Sequence, residues 1–299
     1  MSEVEIAFSP QSLLVLNGIL ACMMFGVSLQ LRAADFRRVL IAPRAPVAGL
    51  VAQFLILPSV TCFVTWWLRV PAELALGMIL VASCPGGTYS NVMTWLGKAS
   101  VPVSVTMTAV SSLAAVVMTP FNFAFYGHLN PHTRELLREI AIDPFQMLSL
   151  VVLVLALPMM LGMAVGHRRP RLARRAENPM RWVALGVLFA FVLIAVARNF
   201  HLLLEYGDRI AGLVVVHNLG ALMLGALAGR LIRLPRDERR AVTMEVGIQN
   251  SALGLSILFT FFPQAGGMML ITAFWGVWHL ISGLALALLW SRARETGHG

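Results

Sequence analysis

The octapeptide Cys84-Pro85-Gly86-Gly87-Thr88-Tyr89-Ser90-Asn91 lies inside an apolar run from about Ala72 to Leu96, long enough to cross a bilayer. Proline in a helix interior removes a backbone hydrogen bond and costs roughly 3 kcal/mol, and each glycine adds about 1 kcal/mol. In lipid the freed N–H and C=O groups have no water to turn to. Irregular backbone at that depth survives inside protein or against a wet cavity, so the break marks a site. A second interruption, Glu245-Val246-Gly247-Ile248-Gln249-Asn250-Ser251, lies in another long apolar segment. Two broken segments in corresponding places point to a transporter's binding site.

With 58% hydrophobic and 12% charged residues among 299, the chain reads as a polytopic, all-α membrane protein and a single transmembrane unit over 1–299. Taking about twenty apolar residues per crossing predicts nine spans, at 9–31, 45–68, 72–96, 101–126, 143–166, 180–197, 209–229, 240–262 and 266–290. Alternate loops and the C-terminal tail hold 18 Lys and Arg against 5 on the other side, which predicts an outside N-terminus and a cytoplasmic C-terminus. The net charge of +9 is thus a topology signal, anchored by 167–175 and 230–240, and not a nucleic-acid surface. Glu3 and Glu5 replace the basic region of a signal peptide, so the first span is expected to be retained. Residues 131–140 are expected to form an interfacial helix with Leu136, Leu137 and Ile140 facing lipid. Cys22, Cys62 and Cys84 all fall in apolar runs without metal-ligand spacing and read as buried thiols.

The broken spans are third and eighth, an odd offset, so they enter the membrane in opposite senses, as in an inverted-topology repeat. Glu245 is the one acidic residue well inside a broken span, and an intramembrane carboxylate costs several kcal/mol unless it has a partner. A bound cation would serve, and sodium takes oxygen ligands. Thr88, Ser90 and Asn91 open the half-helix after the first break, where they could cap it or offer such oxygens. Ser104, Thr108 and Ser111 share one helix face at i, i+4 and i+7 and suit either a packing seam or a site. Gln53 and His279 are isolated polar residues within spans, each explicable by packing alone. Pro85-Gly86-Gly87 lacks the lysine and hydroxyl of a phosphate loop, and no nucleophile, base and orienting acid fall together, so an enzyme is not expected.

Together, Cys84-Pro85-Gly86-Gly87-Thr88 with Ser90-Asn91, Glu245 to Asn250, Met24-Phe25-Gly26, Gln53-Phe54 with Pro58, and Trp278-His279 resemble the bile acid:sodium symporter family, in its nine-helix variety. The similarity runs from about Leu14 to Leu289. It implies an inverted repeat with two crossing broken helices. A core domain at about 45–126 and 209–290 would move against a panel domain at about 9–31 and 143–197. By the same resemblance two sodium ions bind: one at Ser90, Asn91, Ser104, Thr108 and Glu245, the other at Gln53, Glu245 and Gln249 with the carbonyls of Val246 and Ile248. Substrate contacts would fall on Thr88, Asn250 and His279. The implied activity is sodium-coupled import of an organic anion, bile-acid-like or another amphipathic carboxylate, by a monomer in the bacterial inner membrane. An exporter or proton-coupled antiporter of the same architecture, such as an arsenite carrier using a cysteine in its broken helix, is the alternative that Cys84 keeps open. Asn17, Gln146 and Asn199 are the polar residues expected in or beside the panel.

Overall fold

A computed structural model describes residues 39–139, 151–198 and 200–292, with isolated positions among 18–37 and 148–149. Among these the elements are all helical: α1 (Arg44–Trp67), α2 (Ala72–Ser83), α3 (Tyr89–Leu96), α4 (Val101–Leu129), α5 (Pro131–Glu139), α6 (Val152–Arg168), α7 (Pro170–Arg198), α8 (Phe200–Leu231), α9 (Arg236–Gly247), α10 (Ser251–Phe261) and α11 (Gly266–Arg292). Four helices, α1, α4, the 207–231 part of α8, and α11, are long and apolar enough to cross a membrane, and a bent pair in α6 and α7 makes up to five. Most of the predicted first span, part of the fifth, and Asn17, Gln146 and Asn199 lie outside the described residues.

Both expected breaks are present. α2 and α10 have 12 and 11 residues, about 18 and 16 Å at 1.5 Å per residue, so neither crosses a hydrocarbon core of about 30 Å alone. Each is apolar around nearly its whole circumference, and such a helix must be wrapped by protein. Leu74 to Ser83 and Ser251 to Phe259 are accordingly buried without interruption. Leu76, Ile79 and Leu80 of α2 pack with Phe123 of α4, Leu255 and Phe259 of α10, and Met268 and Met269 of α11. Met78 and Val81 reach the other way, to Met107, Val214, Val242, Val246 and Trp275 on α4, α8, α9 and α11.

Three sequence expectations are corrected. Residues 131–139 are helical, but Leu137 is buried and packs with Leu76 and Phe123, and Leu136 is partly buried against the same cluster, so these two do not face lipid. Ile140 lies outside the described residues. The basic stretch 167–175 is not an open loop: α6 ends at Arg168, the chain turns by 119°, and Pro170 starts a new helix, its missing N–H costing nothing in a first turn. Cys22 is exposed, whereas Cys62 and Cys84 are buried, and all three are free.

Candidate functional site

The two interruptions lie against each other. Gly86 and Gln249 form an isolated antiparallel bridge, in which Gly87 N–H donates to the Ile248 carbonyl at 2.7 Å and Asn250 N–H donates to the Pro85 carbonyl at 2.8 Å. The half-helix ends find side-chain partners on neighbouring spans. Thr119 of α4 donates to the Ser83 carbonyl at 2.7 Å, and Asn218 Nδ2 of α8 donates to the Gly247 carbonyl at 2.8 Å. Backbone that proline and glycine set free is thus paired inside the protein, as the absence of water at this depth requires. The glycines permit the approach: a Cβ on Gly86 would overlap the Glu245 carboxylate, and one on Gly87 would stand 3.0 Å from the Gln249 carbonyl oxygen.

Beside this crossing is a cluster of oxygens. Glu245 is fully buried near the end of α9. Ser90 Oγ donates to its Oε2, Ser104 Oγ reaches the same oxygen at 3.3 Å, and Thr108 Oγ1 reaches Oε1 at 2.8 Å. Asn91 Oδ1 accepts from Ser104 Oγ at 2.8 Å and from Thr108 Oγ1 at 3.2 Å. All five side chains expected at the first sodium site therefore meet. Ser90 and Asn91 come from the first turn of α3, Ser104 and Thr108 from one face of α4, and Ser111 turns back to the Thr108 carbonyl at 3.2 Å. The capping reading of Thr88 is not realised, since no side chain caps the start of α3.

Protons in this cluster are fewer than the oxygens that seek them. Thr108 has one hydroxyl proton and three acceptors in reach, the third being the Ser104 carbonyl at 3.0 Å, while Ser104 has one proton for two. The groups that hydrogen-bond the Glu245 carboxylate are all hydroxyls. An acceptor-rich pocket of carboxylate, amide and hydroxyl oxygens suits a hard monovalent cation, which removes the surplus and pairs with the buried charge.

The residues expected at the second site are also neighbours. Gln53 Nε2 donates to Gln249 Oε1 at 3.4 Å, and Gln249 Nε2 donates to the Val246 carbonyl at 2.8 Å. Gln53 Oε1 is buried with no hydrogen-bond partner, an orphaned acceptor of the kind a cation would satisfy. The local sequence of α1 places Gln53 there. Pro58 has no N–H for the Phe54 carbonyl, residues Ala52–Ile56 widen into a π turn, and Asn122 Nδ2 of α4 donates to that carbonyl at 2.7 Å. A second π turn, Val152–Ala156, likewise stands two residues before a proline, Pro158.

Among the expected substrate contacts, Thr88 and Asn250 flank the bridge and are partly exposed, whereas His279 is buried. Asn250 Oδ1 caps α10 by accepting from Leu253 N–H at 3.1 Å, and His279 Nδ1–H donates to the Trp275 carbonyl at 2.8 Å. Sequence reading missed a neighbouring network. Trp275 Nε1–H donates to His217 Nδ1 at 3.1 Å, so His217 carries its proton on Nε2, which faces Thr61 Oγ1 at 2.9 Å, and Thr61 passes its own proton to the Leu57 carbonyl at 2.7 Å. Asn218, whose Oδ1 takes a bond from Ser282 at 2.6 Å, was missed too. Their signal was present: His217-Asn218 and Asn122 are polar residues inside apolar spans. Cys84 is buried beside Gly254, whose added Cβ would be 3.6 Å from its sulfur.

Known proteins resemble the chain along most of its length. A profile described as the Sodium Bile acid symporter family matches residues 18–206. The uncharacterized sodium-dependent transporter YocS of Bacillus subtilis is 33% identical over 273 residues, covering 91% of this chain and 82% of that protein. A protein of Arabidopsis thaliana named "Probable sodium/metabolite cotransporter BASS1, chloroplastic" is 29% identical, over 92% of this chain and 66% of its own length. The P3 protein of Homo sapiens is 26% identical, over 73% of this chain and 44% of its own. With that profile matched over more than half of its length and a relative named as a sodium-dependent transporter aligned along most of it, the chain belongs to the sodium bile acid symporter family.

Proposed function

We propose that the chain is a sodium-coupled symporter that imports an organic anion, amphipathic or carboxylate-bearing. Two sodium ions bind, one among Ser90, Asn91, Ser104, Thr108 and Glu245, the other among Gln53, Glu245, Gln249 and the carbonyls of Val246 and Ile248. The observation that carries the reading is the acceptor surplus around the buried Glu245 carboxylate, and the orphaned Gln53 oxygen supports the second ion. Val246 and Ile248 carbonyls each already accept one bond, which leaves each a second lone pair for an ion. Substrate meets Thr88 and Asn250 at the mouth of the crossover, with His279 behind them. Sodium draws both broken helices onto one ion, and the anion then meets an ordered crossing.

The helices that hold or adjoin these ligands, α1 to α4 and α8 to α11, form a core that moves against a panel built from the first span, α6 and α7. The protein works as a monomer in the bacterial inner membrane. Basic side chains gather at one end of the core. There Arg44 donates to the Ile232 carbonyl at 2.6 Å, and Arg240 stacks 5.0 Å from the Trp290 ring and donates to the Gly97 carbonyl at 3.3 Å. We take that end as cytoplasmic, with the N-terminus outside.

The test is uptake into vesicles under an inward sodium gradient, across a panel of bile acids, keto acids and other carboxylates. Replacing sodium with potassium abolishes uptake of the true substrate. Uptake that is indifferent to the exchange for every anion tried overturns the coupling. Glu245→Ala and Asn91→Ala each abolish sodium-dependent thermal stabilisation, and a Cys84→Ala variant that transports normally excludes the cysteine-dependent exporter.

A further inference from the structure

The ends of α1 and α5 border an open surface cavity of about 370 Å³ that the transport site does not use, lined by Trp66, Trp67, Arg69 and His132. We infer that this cavity binds the phosphodiester headgroup of a membrane glycerophospholipid, whose acyl chain lies along the exposed face of α1.

The headgroup end is cationic and open, with all four lining side chains exposed. Arg69 is permanently charged, and its guanidinium makes no ion pair or side-chain hydrogen bond with another described residue. The main chain at His132 is tied to α1 through Asn130, whose Oδ1 accepts the His132 backbone N–H at 3.0 Å and whose Nδ2 donates to Thr65 Oγ1 of α1 at 3.1 Å. The two indoles bring N–H donors and flat apolar surface, the pairing favoured at a membrane interface. A phosphodiester fits: guanidinium and phosphate form paired, charge-assisted hydrogen bonds.

Continuity with the apolar face distinguishes a lipid from a free anion. Ile56, Val60, Phe63 and Trp67 follow one another at i, i+4, i+7 and i+11, so they share one face of α1, and their exposure rises from 39% at Ile56 to 69% at Trp67. Phe63 stacks on Trp67 with centroids 6.1 Å apart, making a smooth ridge that ends at the cavity. Eleven residues of helix span about 16 Å, against about 15 Å for half a hydrocarbon core. The stripe therefore matches one leaflet's acyl chain, with the cation at headgroup height.

Native mass spectrometry of the full chain in detergent, titrated with dioleoylphosphatidylglycerol, tests this. The wild type retains one lipid that Arg69→Ala binds about tenfold more weakly, the scale of one charge-assisted pair. Trp67→Ala, which keeps the cation, also loses occupancy and serves if Arg69→Ala fails to fold. Dioleoylglycerol, with the same chains and no phosphate, does not occupy the site, and inorganic phosphate does not compete. Equal retention by Arg69→Ala and wild type overturns the proposal. So does dioleoylglycerol binding as well as the phospholipid, which means apolar adsorption, or displacement by inorganic phosphate, which means a free-anion site. None of these readouts depends on sodium, so the transport reading can fail without this one.

Discussion

Glu245 and Gly86 act as one unit although 159 positions apart in the chain, because the crossover places the glycine where any Cβ would enter the carboxylate. Gly86→Ala is therefore expected to displace the Glu245 side chain, and the sodium concentration for half-maximal thermal stabilisation rises at least about tenfold, equivalent to 1.4 kcal/mol. Glu245→Gln separates charge from shape. The amide keeps an oxygen for the hydroxyl donors and removes a buried charge, so melting in sodium-free buffer stays at or above the wild-type temperature while the sodium-induced rise disappears. A wild-type-sized rise in that variant would remove the carboxylate from the ion site. The residues of the proposed ion site were legible in sequence as a cluster because polar atoms in an apolar run are costly: Ser90, Asn91, Ser104, Thr108 and Glu245 all meet. Their proton shortage was not legible, since it depends on which acceptors share a hydroxyl.

At the level of elements, sequence showed where helices break and missed what holds the broken ends. Pro58 leaves the Phe54 carbonyl without its helical partner, and the π turn there depends on Asn122, 64 residues on from the proline, donating to that carbonyl. Asn122→Ala leaves that carbonyl unpaired at a cost of about 1–3 kcal/mol, read as a lower melting temperature. Because the turn carries Gln53, a proposed sodium ligand, sodium affinity is expected to fall with it. His217→Phe removes partners from both Thr61 and Trp275 and costs about the same. Thr61 lies two turns along α1 from Gln53, and Trp275 one turn before His279 on α11, so the ring ties the helix of a proposed sodium ligand to that of a proposed substrate contact. The corrected α5 has the same lesson: its leucines read as lipid-facing only while the neighbouring α4 is out of view.

Over the whole molecule, the asymmetry of basic residues predicts orientation. In a variant without native cysteines, Arg69→Cys is expected to react with a membrane-impermeant maleimide added to intact cells, and Arg233→Cys only after the cells are opened. The reverse pattern would invert the protein in its membrane. At the crossover itself the two broken segments meet through main-chain bonds, from Gly87 to Ile248 and from Asn250 to Pro85, beside the side-chain bond from Ser90 to Glu245. A frame written in peptide groups is indifferent to the side chains it carries, provided the glycines leave room and no proline enters at 87 or 250. Residues at the mouth, Thr88 foremost, are thereby released from holding the scaffold. Descendants of one such protein could exchange cargo after cargo at those positions while inheriting the same ion seat unchanged.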